Sequence, residues 1–161
     1  MHPPFVLYEA ESLKIKKVCE VLAEDANAMA VFLIDASGQI LATAGDASDI
    51  DTASLASLTA GNVAATSSMA RLINEKEFSQ VFHEGERANL HISVLPEDFI
   101  LLVVFDDRSS LGLVRLRVRK SSKEIIQLLE AARNRGARSD ESTLPFAEIT
   151  DDEIESLFSR S

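Results

Sequence analysis

A chain of 161 residues, 46% hydrophobic and 26% charged, has the composition of one ordinary globular domain with a short appendage. Its formal charge of −10 and pI near 4.7 argue against a nucleic-acid binder, which needs clustered Lys and Arg, and disfavour an anionic membrane surface. Cys19 is the only cysteine, so neither an internal disulfide nor a multi-cysteine metal site is possible.

Met1-His2-Pro3-Pro4 lacks the basic-then-apolar order of a signal peptide, and no apolar run approaches the ~20 residues of a membrane span. The expected location is cytoplasmic. From Glu9 to about Ala26, apolar Leu13, Val18, Val21 and Leu22 alternate with Lys14, Lys16, Lys17 and Glu20, as in an amphipathic helix. Cys19 falls inside that pattern and is expected to be a small buried hydrophobe. Met29 to Asp35 is a short continuous apolar run, the mark of a strand buried on both faces. The turn residues Asp35 to Gly38 return the chain as a second strand, Gln39 to Ala44. After a polar loop, Asp51 to Ile73 is long, helical and rich in small residues.

Glu77 to Glu84 and Ala88 to Leu95 predict two further strands around Gly85-Glu86, and Phe99 to Phe105 predicts a central one. Leu111, Val114, Val118, Ile125 and Leu129 then trace the stripe of a helix ending near Arg135. The order αββαβββα with tight hairpin links predicts an α/β (α+β) sandwich: a five-stranded, mainly antiparallel sheet flanked by helices. Residues 1–135 form the domain. Residues 136–145 have the composition of a flexible linker, and 146–161 that of an acidic amphipathic helix. In that tail Thr150 and Glu153 match a capping box, while Ile154, Leu157 and Phe158 share one face. A helix under three turns long needs a groove to hold that face.

No phosphate-binding loop, dinucleotide fingerprint or H-E-x-x-H pattern is present. His83 and His91 lie on paired strands and are read as ordinary strand histidines, the turn register deciding whether they share a face. No catalytic residue, cofactor site or metal site is expected. The unusual feature is the second helix, where Ala60, Ala64 and Ser68 repeat every four residues and Ala56 extends the ridge. Leu55, Leu58, Val63, Met69, Leu72 and Ile73 are expected to pack on the sheet. The small ridge would then let another backbone approach closely. Self-association would most simply form a two-fold dimer, with the edge strand at Glu77 to Glu84 able to pair in it.

Three stretches carry a resemblance over nearly the whole chain: DTASLASLTAGNVAAT from Asp51 to Thr66, Phe82-His83-Glu84-Gly85, and VFDDRSSLGLVR from Val104 to Arg115. With Pro145 to Ile149 and the acidic tail, they resemble the bacterial MglB branch of the roadblock/dynein light chain family. The resemblance implies a cytoplasmic homodimer, concentrated at a cell pole, that binds the small Ras-like GTPase MglA and stimulates its GTP hydrolysis. Two chains would hold one GTPase, in the control of cell polarity and gliding motility. It implies no catalytic site of the chain's own and no arginine finger: binding would move the GTPase's own Arg and Gln into place. Carried over, Ala60, Ala64 and Ser68 would lie in the GTPase platform, with Ile154, Leu157 and Phe158 as a second contact. Lys14, Arg115 and Lys120 would form a basic face for further polarity proteins. The alternative is a roadblock-type adaptor dimer with no effect on hydrolysis.

Overall fold

A computed structural model describes residues 7–147, with side chains to residue 136. The order is α1 (Glu9–Asp25), β1 (Ala30–Ile34), β2 (Ile40–Gly45), α2 (Thr52–Leu72), β3 (Gln80–Glu84), β4 (Asn89–Val94), a 3₁₀ turn (Pro96–Asp98), β5 (Ile100–Phe105) and α3 (Leu111–Ala147). The five strands form one sheet in the order β2-β1-β5-β4-β3. Every pairing is antiparallel. The predicted αββαβββα order and sheet are those observed.

The continuous apolar runs are explained by position. β1 and β5 lie next to each other in the middle of the sheet and bury both faces. Val31, Leu33, Leu101, Val103 and Phe105 point to one side, where they meet Ile15, Cys19 and Leu22 of α1 and Val114, Val118, Ile125 and Leu129 of α3. Phe32, Ile34, Ile100, Leu102 and Val104 point to the other, with Ala56, Ala60 and Val63 of α2. Two helices thus cover one face and a single helix the other.

Local chemistry sets the ends. In the β1–β2 turn, the Asp35 Oδ1 accepts from the Ser37 and Gln39 N–H groups at 3.0 and 2.9 Å. Gly38 takes the left-handed φ of 91°. A Cβ there would stand 3.0 Å from the Ser57 Cα, so the turn lies directly against α2. Asp51 caps α2, accepting from the Ser54 hydroxyl at 2.7 Å and its N–H at 3.2 Å. Those bonds, the hydroxyl's first, hold the Asp51 carboxyl below its usual range. α1 and α3 pack antiparallel: the Ser109 hydroxyl donates to the Ala26 carbonyl at one end, and Arg135 meets Glu11 at the other.

Two boundaries differ from expectation. β3 starts at Gln80 and not Glu77. α3 continues to Ala147, so the backbone is helical through 136–145, which the composition predicts as linker. A helix already nucleated on the core extends at little cost per residue, and Ala137, Arg138 and Glu141 are good helix formers.

Candidate partner-binding surface

α2 presents two stripes. Ala56, Thr59, Ala60, Val63 and Ala70 are buried. On the opposite side Leu58, Met69 and Leu72 are 72%, 61% and 85% exposed, and Ile73, just past the helix, is exposed as well. This corrects the expectation that these four pack on the sheet; of the bulky residues, Val63 is buried and Leu55 partly so. The reason is distance. The sheet itself supplies the bulk on this face through Phe32, Ile34, Ile92 and Leu102. Small residues let the helix lie close to them.

The ridge at four-residue spacing divides accordingly. Each step of four advances about 400°, so the row drifts around the helix by about 40° per step. Ala60 is buried against its own sheet, which corrects its assignment to an outward platform. Ala64 and Ser68 are exposed. At Gly61 an added Cβ would meet nothing within 4 Å. The outward face therefore combines flat, small positions at Gly61, Ala64 and Ser68 with protruding Leu58, Met69 and Leu72.

That face is almost without charge. In 21 residues of α2 the sole ionisable group is Arg71, in a chain that is 26% charged. Three hydroxyls of α2 are turned back onto its own carbonyls. Thr59 and Thr66 donate to the carbonyls of Leu55 and Asn62 at 2.7 Å. Ser68 donates to Ala64 at 3.3 Å and accepts from the Arg71 Nη2 at 3.1 Å. Such a surface recognises shape and apolar area and not a charge pattern. An exposed apolar stripe of this kind is a candidate for contact with another protein.

Around it the sheet is incompletely roofed. Val81, Leu90 and Val94 on β3 and β4 face the same side and are only partly buried. β3 is an edge strand with one open row of backbone groups. Lys14, Arg115 and Lys120 all stand exposed on α1 and α3, the layer on the other side of the sheet. Ile154, Leu157 and Phe158 lie outside the described residues, as does the predicted tail helix.

His91 pairs with Phe82 and His83 with Leu90, so the two histidines point to opposite faces. Among the described residues no cluster of three or more His, Cys, Asp or Glu could hold a metal ion. Cys19 is buried in the core, and burial first, then Glu20, pushes its thiol up to about 12. A cleft of about 560 Å³ between the end of α1 and the 46–50 loop is walled by Glu20, Glu24, Asp46 and Asp49, with Arg108 at its side. Its carboxylates repel phosphate. Among the described residues no helix is long and apolar enough to cross a membrane.

Two buried polar groups were not anticipated from the sequence. Glu11 looks like a surface acid of a first helical turn, yet it is buried. Its Oε2 accepts from the Tyr8 N–H at 3.1 Å. Its Oε1 lies 2.6 Å from the Arg135 Nη1, a close ion contact outside hydrogen-bond alignment. His91 is fully buried with neither ring nitrogen hydrogen-bonded. Burial, and then the nearby Arg115, lower its pKa from the usual value.

The comparisons agree with this geometry. The Roadblock/LC7 domain model matches residues 14–105. MglB of Myxococcus xanthus is 50% identical, covers 79% of this chain and 96% of its own, and superposes with a TM-score of 0.75. An MglB with a tetrameric arrangement is 31% identical, with 82% and 99% coverage and a TM-score of 0.76. The gliding protein MglB of Thermus thermophilus is 32% identical, with 81% and 99% coverage and a TM-score of 0.75. Among curated proteins none matches the chain. Together with the five-stranded sheet and its single-helix face, these matches make the chain a member of the Roadblock/LC7 domain family, in its MglB branch.

Proposed function

We propose that the chain is a homodimeric activator of a small Ras-like GTPase of the MglA type, gripping it through the outward face of α2. The observation that carries this reading is that uncharged, exposed stripe of small and protruding apolar residues. Its kinship at 50% identity with an MglB supports the choice of partner. Leu58, Met69 and Leu72 supply anchors, while Gly61, Ala64 and Ser68 allow close backbone approach. Two copies hold one GTPase, each adding its stripe to a shared platform, and β3 edges pair between copies. Ile154, Leu157 and Phe158 of the tail make a second contact. The dimer acts at a cell pole in the control of polarity and gliding motility, with Lys14, Arg115 and Lys120 meeting further polarity proteins.

Stimulation works by population shift: the dimer binds the hydrolysis-competent arrangement of the GTPase better than the idle one. An arginine finger in trans would need a free guanidinium. Arg108 Nε is instead held by Asp106 at 3.0 and 3.2 Å, and Asp106 raises the Arg108 pKa. Arg71 is engaged with Ser68. Arg87 stands exposed in the β3–β4 turn. None is assigned a role at the phosphates.

The test is single-turnover GTP hydrolysis by the partner GTPase with and without this protein. A rate that climbs with added protein to a plateau supports activation. Binding without acceleration leaves the same surface as that of a non-catalytic adaptor dimer.

A further inference from the structure

α3 keeps a buried stripe, Val114, Val118, Ile125, Leu129 and Ala132. Residues 133–135 are exposed, and the helix backbone runs on to Ala147. Two ion pairs flank the helix just past Ala132. Arg135 reaches the buried Glu11 at the start of α1, at 2.6 Å. Arg133 pairs with Glu97 of the 3₁₀ turn.

Two residues apart on a helix are about 200° apart around its axis, so the two guanidiniums leave α3 on opposite flanks. Their acceptors belong to different parts of the fold. Glu97 is held in a left-handed backbone conformation, φ 66°, followed by Asp98 at φ 63°. Side chains other than glycine rarely take that conformation without support from their surroundings. Glu11 is fixed more firmly still, because its other oxygen receives the Tyr8 N–H. We propose that Arg133 and Arg135 form, with Glu97 and Glu11, a two-sided bracket that sets the direction in which α3 leaves the domain. The bracket thereby sets where α3 hands the chain on to the segment that the proposed function puts at the partner, a consequence that rests on that function.

The two sides are unequal. Glu11 is almost entirely removed from water, whereas Glu97 and Arg133 are both substantially exposed. Loss of Arg135 leaves a buried charge without its counter-ion. Loss of Arg133 opens a solvent-screened pair. Arg135 is the principal positioning residue and Arg133 the lesser.

Hydrogen exchange on the full chain tests this. Arg135→Gln should speed exchange of the amides from residue 133 to 147 by an order of magnitude or more. The β5 amides, from Ile100 to Phe105, should keep the parent's rates. Arg133→Gln should give a smaller increase in the same segment, and Arg135→Lys should recover part of the protection. If Arg135→Gln fails to fold, Glu11→Gln/Arg135→Gln removes both charges and should loosen the same amides. Parent-like exchange in every folded variant would overturn the bracket. GTPase affinity measured on the same proteins separates the two claims. Faster exchange with unchanged affinity keeps the bracket and removes the segment from the grip; faster exchange with weaker affinity supports both.

Discussion

The two sides of the sheet are built on different terms. On one, α1 and α3 lie side by side over Val31, Leu33, Leu101 and Val103 and turn charged residues outward. On the other, α2 alone covers a sheet five strands wide, roughly 24 Å across at ~4.8 Å per strand, with a helix about 10 Å thick. The first side is finished by charged residues set around its exposed Leu13, Val21 and Leu116. The second exposes an uncharged helix beside half-covered Val81, Leu90 and Val94. A helix apolar on both sides belongs between two protein layers, and the described residues supply only one.

Substitutions should therefore divide by side, beginning with the largest effect. Ile125→Ala, in the finished layer, opens a cavity and should lower unfolding stability by about 2–5 kcal/mol in urea titration. A loss below about 1 kcal/mol would mean that α3 is less firmly seated than its burial indicates. On the open side, Ala64→Arg should leave stability within about 0.5 kcal/mol of the parent, because the residue is exposed. It should nevertheless weaken GTPase binding by about 100-fold, the loss of a well-packed interface contact. Parent-like binding by that variant would move the platform off α2. Sedimentation at the same concentrations reports whether self-association is lost with it.

A smaller effect comes from His91, whose pKa is lowered from the usual value by burial and then by Arg115. The unfolded chain takes up a proton near pH ~6.5, the ordinary histidine value, while the folded chain resists until lower pH. Stability should thus be level with respect to this group above about 6.5 and decline as pH falls from there toward the depressed folded value. Melting of His91→Leu between pH 5 and 7.5 should lose that part of the slope. An unchanged slope would assign the acid sensitivity to the carboxylates. The smallest effect is expected for Arg71→Ala, Arg87→Ala and Arg108→Ala, each of which should leave the maximal stimulated hydrolysis rate nearly unchanged. A drop of about 100-fold at saturation for any one would identify an arginine finger.

Much of this was legible in the sequence, for physical reasons that also mark where reading fails. β1 and β5 were evident because strands buried on both faces must be apolar throughout. α3 was evident because Val114, Val118, Ile125 and Leu129 keep one face. The importance of α2 was legible too, but not its orientation. Ala56, Ala60, Val63 and Ala70 form one helical stripe and Leu58, Met69 and Leu72 the other, at similar spacings, so periodicity alone cannot say which faces in. Size misleads here, since the sheet brings Phe32 and Leu102 and asks the helix for small residues. The burial of Glu11 depends on α3 crossing its helix more than 100 residues later, which no local pattern encodes.

The central claim is that the outward face of α2 is the grip, and equal exposures make it directly testable. In the isolated chain Met69 and Leu58 are 61% and 72% exposed, while Leu13 of α1 and Leu116 of α3 are 61% and 58%. Hydroxyl-radical footprinting of the assembled complex with the GTP-loaded GTPase, its formation checked by sedimentation, should slow the labelling of Leu58, Met69 and Leu72 several-fold relative to the same residues without the GTPase, while Leu13 and Leu116 keep their rates. Unchanged labelling of the α2 residues, in a complex known to have formed, would contradict the account.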